Sequence, residues 1–197
     1  MVMSFPNSGN NGRPWARLDA RTGIMFLSSA DGEKTSCDLK GKVLALDIAN
    51  ATQGWLAVTA AGAAWSPIEG GVWGSAPTDD HKPGVDIDIW CKDFGDVKLR
   101  TSRGNSRGWN NFIQAVAEKA GEVGGDSWPT IKITAVKVVK VGQGTSIDVE
   151  FLMAPPEKWV KESAIRADDD EAPAPAKAAP AKPKPAPTTV DDLDDDF

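Results

Sequence analysis

The sequence predicts a mainly β domain followed by an extended, charged tail. Short segments in which apolar and polar residues alternate dominate residues 22–166, and only one segment has helical spacing. The composition changes abruptly near residue 167, where Ala, Pro, Lys and Asp take over. A body of about 165 residues is long enough to bury roughly two-thirds of its unfolded surface, so it needs no disulfide or metal to fold.

Three short strands are predicted in the first third of the chain, each an apolar or alternating run next to turn residues: residues 23–28, 42–48 and 54–59. Residues 61–84 are rich in Gly and Pro and are predicted to form a long loop that carries Trp65 and Trp73. Long loops in compact domains often serve a function, so both rings are candidates for stacking on a ligand.

A pair of strands is predicted next, with a clear division between inner and outer faces. Residues 85–92 alternate so that the Val and Ile side chains face the core, while Asp86, Asp88, Trp90 and Lys92 face outward. Residues 97–101 return the chain, with Val97 and Leu99 predicted inward and Lys98 and Arg100 outward.

One helix is predicted at residues 106–120, beginning at the cap residue Ser106 and ending at Gly121. Trp109 and Phe112 lie on its apolar face and are assigned to the core. A hairpin of two long strands follows: residues 130–141 and 145–153.

This order of elements is that of the OB-fold, a five-stranded Greek-key barrel with one helix between its third and fourth strands. Other small β-barrels with one helix share the order and stay open as alternatives. The OB-fold uses a sheet face and loops to bind oligonucleotides or oligosaccharides. The predicted organisation is a mobile N-terminal arm, an OB-fold domain, a disordered Pro/Ala/Lys linker and an acidic tip: residues 1–21, 22–166, 167–190 and 191–197.

The negative charge of the chain is concentrated in the tail. Residues 167–197 contain nine acidic residues and three lysines, a net charge of −6, which equals that of the whole chain. The body is therefore neutral overall, and an anionic partner requires its cations to be gathered on one side. Residues 172–187 contain only Ala, Pro and Lys, which favours an extended spacer of about 3 Å per residue.

The acidic tip combines five carboxylates with a leucine and a final aromatic ring: Asp191, Asp192, Leu193, Asp194, Asp195, Asp196 and Phe197. It is too charged to fold alone, but its ring can enter an apolar pocket while its carboxylates meet Lys or Arg. Such a tip behind a Pro/Ala-rich linker resembles the tail of single-stranded DNA-binding proteins. It is more similar to the bacteriophage replication type than to the bacterial type, which places Ile-Pro before the final Phe.

The resemblance implies a non-enzymatic protein, without a cofactor, that coats single-stranded DNA during DNA replication, recombination and repair. It also implies that the tip recruits a DNA polymerase or a primase-helicase. Two isolated cysteines behind a polar N-terminus indicate the cytoplasm, that of the host cell for a phage protein. A homodimer is compatible with the resemblance. The body matches only in the order of its elements.

Binding of single strands without sequence preference requires cations for the phosphates and aromatic plates for the bases. The sequence places cations and rings near the first strand and on the outer face of residues 86–100, rings in the Gly-rich loop, and cations in the turn before the helix and in the last hairpin. The candidate residues are Arg13, Trp15, Arg17, Arg21, Trp73, Trp90, Lys92, Lys98, Arg100, Arg103, Arg107 and Lys132. Trp55 and Trp128 fit either a core or a surface position.

Other functions find less support in the residues. Cys37, Cys91 and His81 lack the paired spacing of a zinc site, so no metal is predicted, and the cysteines are expected to be reduced. The N-terminus is too polar for a secretory signal, and no apolar run reaches membrane-spanning length. Two alternatives stay open: a carbohydrate-binding β-barrel module, and a Mg-dependent nuclease that uses Asp86 and Asp88.

Overall fold

A computed structural model describes residues 14–29, 32–60, 62–121, 126–142 and 144–170. Arg13, residues 171–190 of the predicted linker and the acidic tip lie outside the described residues, as does most of the predicted N-terminal arm. Residues 167–170, predicted as the start of the disordered linker, are instead helical and end a helix that begins at Glu162.

Strands dominate the described residues. The strands are β1 Trp15–Leu18, β2 Met25–Ser28, β3 Lys34–Cys37, β4 Val43–Leu46, β5 Thr52–Thr59, β6 Gly62–Pro67, β7 Lys82–Trp90, β8 Leu99–Gly104, β9 Ser127–Trp128, β10 Thr130–Val141, β11 Gly144–Met153 and β12 Val160–Lys161. The helices are α1 Arg107–Ala120, a short 3₁₀ helix Pro156–Lys158 and α2 Glu162–Asp170. The predicted mainly β class is confirmed.

Ten of the described strands form one curled, open sheet, a half-barrel. Its order is β11-β10-β4-β7-β8-β1-β2-β3, and the hairpin of β5 and β6 joins it where β5 pairs with β7. β1 runs parallel to β8, whereas the other neighbouring strands are antiparallel. The turn between β1 and β2 packs on β10, because a Cβ added at Gly23 would lie 3.1 Å from Cγ1 of Val136. This contact brings the turn between β1 and β2 against β10 across the curl of the open sheet.

The main core fills the inner side of the sheet. It combines apolar side chains of β1, β2, β4, β7, β10 and β11 with one face of α1. The helix begins as predicted, because the Ser106 side chain accepts a hydrogen bond from the backbone N–H of Trp109 at 3.2 Å. Trp109 and Phe112 are buried in this core, as predicted, and the helix ends before Gly121.

A second, smaller cluster covers part of the outer side of the sheet. Ala45 of β4, Trp128 of β9 and Ile165 of α2 are buried together, and Trp90 and Leu99 pack against them. The short sheet of β9 and β12 and helix α2 therefore cover one end of β7 and β8.

The predicted loop at residues 61–84 is wrong at both ends. Gly62–Pro67 form β6, and β7 begins at Lys82 rather than at residue 85. The alternation of β6 is hidden because small Ala residues and a proline stand where larger apolar residues mark other strands. β1 lies within the predicted N-terminal arm, so part of that arm belongs to the sheet.

Candidate nucleic-acid interface

The outer face of β7 and β8 carries two polar pairs in register. Asp86 lies opposite Arg103, and Asp88 lies opposite Thr101. Nε of Arg103 donates to Oδ2 of Asp86 at 3.0 Å, and Nη2 donates to the same oxygen. The hydroxyl of Thr101 donates to Oδ1 of Asp88 at 2.6 Å. Strand alternation sends the residues between them, such as Ile87, into the core.

Trp65 of β6 lies beside these pairs. Its six-membered ring packs directly on the backbone of Gly54, since a Cβ added there would lie 2.7 Å from Cζ2 and 2.8 Å from Cη2. The guanidinium carbon of Arg103 lies over the Trp65 ring, 4.9 Å from its centroid. Gly54, Trp65, Arg103 and Asp86 therefore form one packed unit, which we call the Trp65–Arg103 stack.

The same face continues onto β1. Trp15 lies opposite Thr101 in the parallel pairing of β1 with β8, so it shares the outer face. Trp15 is half-buried and Arg17 is exposed, whereas Ala16 and Leu18 between and after them are buried. We call Trp15, Arg17, Thr101, Asp88 and the Trp65–Arg103 stack the outer-face cluster. It brings Trp65 together with Trp15 and Arg17 from the predicted arm and with Arg103 from the predicted turn before the helix.

A second aromatic pair lies on the other face of the β5–β6 hairpin. Trp55 alternates with Gly54 along β5 and so points away from the Trp65–Arg103 stack. Its ring meets Trp73 edge to face, with centroids 5.0 Å apart. Trp73 is 43% exposed and its neighbour Val72 is 75% exposed. The hairpin thus presents aromatic surface on both sides.

The predicted outward position of Arg100 is wrong. The residue is only 5% exposed, and its guanidinium donates to the backbone carbonyls of Ser28 and, at 3.2 Å, Phe94. Burial lowers the pKa of Arg100. Leu99 was predicted inward, but it packs against the second cluster on the outer side. The alternation of apolar residues gave the wrong orientation of β8, because both faces of this strand are covered, one by the core and one by α2 and β9.

Trp90 faces outward as predicted, but it is half-buried against the second cluster. Its indole Nε1 is buried without a hydrogen-bond partner among the described residues. Lys92 and Lys98 were predicted on the outer face. They lie instead in the turn between β7 and β8, where Lys92 is exposed and Lys98 half-buried. These positions lie at the covered end of the sheet.

Three further predicted cations lie at separate exposed positions. Arg21 lies in the turn between β1 and β2, Arg107 opens α1 and Lys132 lies on β10. Arg107 stands where the backbone N–H groups of a helix start add positive potential. The three side chains do not belong to one cluster, and all are exposed.

Neither a metal-binding cluster nor a membrane-spanning helix is found in the described part of the chain. No group of three His, Cys, Asp or Glu side chains there is placed to hold a metal ion. Asp86 and Asp88, the nuclease candidates, each use one oxygen in a pair with a neighbouring strand. No helix within the described ranges is both long and apolar enough to cross a membrane.

No protein-family model matches the sequence, and neither a curated protein nor a solved structure matches the chain. Trp65 was predicted as a stacking candidate in a loop, whereas it lies on β6, and no local pattern in the sequence indicates its packing on Gly54. The pairing of Arg103 with Asp86 was missed as well, because the two residues are 17 positions apart.

Proposed function

We propose that the chain is a sequence-nonspecific single-stranded DNA-binding protein that coats and protects single strands during DNA replication and recombination. The outer-face cluster is the observation that supports this function most. It combines aromatic rings with arginines on one side of a sheet, beside a hairpin that exposes Trp73. Nonspecific single-strand binding uses this combination, since every base has a face that can stack.

The strand order supports an OB-type core within the larger sheet. Five strands of the sheet occur along the sequence in the order β4, β7, β8, β10 and β11, and α1 lies between the third and fourth of them. In the sheet they are neighbours in the order fifth, fourth, first, second, third. We propose that β1, β2 and β3 extend this core at the edge of its third strand.

The OB-fold binds oligonucleotides on strands two and three and with the loops that follow strands one and four. In this chain the corresponding strands are β7 and β8. The corresponding connections are residues 47–81, which contain the β5–β6 hairpin, and the turn between β10 and β11. The Trp55–Trp73 pair and the β6, β7 and β8 residues of the outer-face cluster fall within this region, and Trp15 and Arg17 extend it onto β1.

We further propose that residues 191–197 recruit a DNA polymerase or a primase-helicase, with Phe197 as the anchor. The support is the sequence: carboxylates match a basic rim, and a terminal ring matches an apolar pocket. The proposed protein has no catalytic residue and no cofactor, and it works in the cytoplasm.

Quenching of tryptophan fluorescence by oligo-dT, titrated at several salt concentrations, tests the proposed function. We expect saturable quenching. With roughly five phosphate contacts, a fourfold rise in salt weakens binding about a hundredfold. Absence of quenching at low salt would contradict the proposal.

Two control arms address the alternatives. Quenching by a neutral glucan but not by oligo-dT would instead indicate a carbohydrate-binding module. Cleavage of the oligonucleotide that requires Mg²⁺, and that Asp88→Asn abolishes, would indicate a nuclease.

A further inference from the structure

We infer that the Trp65–Arg103 stack is a binding site for one unpaired nucleobase, held by the plane of the Arg103 guanidinium rather than by its charge. The inference rests on the proposed function and names the ligand and the contact at one part of the interface. It assigns Arg103 a different role from the phosphate ligand that an arginine on such a face would ordinarily supply.

The charge around Arg103 disfavours a phosphate. Both Nε and Nη2 of Arg103 donate to Oδ2 of Asp86, so the carboxylate already compensates the guanidinium. Asp88 adds a second carboxylate two residues along the same strand face, and it accepts a hydrogen bond from the neutral hydroxyl of Thr101. These three side chains together have a net charge of −1, and Arg17 on the neighbouring β1 brings the outer-face cluster as a whole to a net charge of zero. A phosphate would meet two carboxylates here and would have to compete with Asp86 for its ligand.

The guanidinium is nevertheless well placed as a platform. The Trp65 ring supports it on one side, and the two hydrogen bonds to Asp86 limit its rotation. The Arg103 side chain is 24% exposed, so part of it still faces solvent. Guanidinium planes stack on bases much as aromatic rings do. A plane that is already held in position loses little conformational entropy when a base binds.

Trp65 acts through Arg103 and is a positioning residue in this site. Its ring is packed on Gly54 and has the guanidinium over it. A base that reached the Trp65 ring on that side would first have to displace Arg103 and break its pair with Asp86. Stacking on the guanidinium requires neither change, so the base contacts Arg103 rather than Trp65.

Substitution of Arg103 by lysine and by glutamine tests separately whether binding depends on the planar shape of the side chain or on its positive charge. Lysine keeps the charge and loses the plane, whereas glutamine keeps a planar amide and loses the charge. Affinity for oligo-dT would be measured by fluorescence anisotropy over a salt series, with Arg107→Ala as the matched variant for a phosphate contact. Thermal unfolding of each variant checks that it is folded.

We expect Arg103→Lys to weaken binding about 5- to 150-fold, the range that loss of one stacked base spans. Arg103→Gln should bind more tightly than Arg103→Lys, with the salt slope of the unaltered protein. Arg107→Ala should reduce the slope by about 0.7, the value for one phosphate contact. An oligonucleotide of abasic sites should bind the lysine variant and the unaltered protein equally.

The reverse pattern overturns the inference. If Arg103→Lys retains full affinity while Arg103→Gln binds more weakly and reduces the salt slope by about 0.7, Arg103 is a phosphate ligand. If the unaltered protein binds oligo-dT but neither variant differs from it, the base site lies elsewhere while the proposed function stands. If the unaltered protein binds no single-stranded DNA, the proposed function itself fails.

Discussion

Replacing Gly54 by alanine places a methyl group where the β5–β6 hairpin has no room for one. The added Cβ would lie 2.6 Å from the carbonyl oxygen of Ser66 and 2.7 Å from Cζ2 of Trp65, whereas ordinary contacts begin at 3.4 Å. The Trp65 ring, the β6 backbone or both must therefore move by more than half an ångström. Overpacking of this kind costs about 1–3 kcal/mol of folding free energy.

The expected effects of Gly54→Ala are on stability and on DNA binding. A loss of about 1–3 kcal/mol lowers the melting temperature by about 2–4 °C per kcal/mol in a chain of this size. If Trp65 moves, Arg103 loses its support and the stacked base loses about 1–3 kcal/mol. Differential scanning calorimetry and oligo-dT titration of the folded variant measure the two effects separately.

Gly74→Ala is the matched control, since a Cβ at Gly74 meets nothing within 4 Å. We expect it to change stability by no more than about 0.5 kcal/mol and to leave affinity unchanged. If Gly54→Ala behaves like Gly74→Ala in both assays, Trp65 is not seated on Gly54. If it lowers the melting temperature alone, the Trp65–Arg103 stack is not part of the interface.

Three further predictions follow from exposure, burial and charge. Trp73→Ala should cost about 1–3 kcal/mol of oligo-dT binding with little loss of stability, whereas Trp90→Ala, which opens the second cluster, should lower the melting temperature and spare affinity. Burial raises the pKa of Cys91 from 9.0 to about 11. Alkylation of Cys91, measured by mass spectrometry, should therefore stay slow at pH 9 and accelerate toward pH 11. The native state should lose stability over the same pH range, because the thiol of the unfolded chain releases its proton first. Fast alkylation of Cys91 in the folded protein at pH 8 would contradict this burial. Deletion of residues 191–197 should tighten DNA binding most at low salt, while Phe197→Ala should spare DNA binding and abolish binding of the polymerase or helicase in calorimetry; unchanged affinities in both cases would reduce the tip to a solubilising segment.

The elements with strong periodicity could be predicted from the sequence. The helix has a cap residue, an apolar stripe and a terminal glycine, so Arg107–Ala120 was predicted within a residue or two. The alternation of β7 and the length of the final hairpin were equally clear. β3 could not be predicted, because Lys34–Cys37 forms an edge with exposed and half-buried residues and has no apolar face to mark it.

The candidate site was predicted in composition but not in arrangement. Arginine and tryptophan clusters identified Trp15, Arg17 and Arg103, which the structure places on one face. The strand alternation assigned Arg100 to the same face, since it does not show that α2 and β9 cover one end of that outer face and bury Leu99 there. The packing of Trp65 on Gly54 depends on the pairing of β5 with β6, which no local pattern encodes.

The most direct test of the outer face as the DNA-binding surface is the NMR spectrum of the tryptophan indole N–H groups during titration with oligo-dT. We expect the Trp15, Trp65 and Trp73 signals to shift with saturation, because these rings lie on the proposed interface or on the hairpin beside it. The buried Trp109 and Trp128 signals should stay in place. If DNA binds while Trp15 and Trp65 remain unshifted, the strand follows another surface and the proposed interface is wrong.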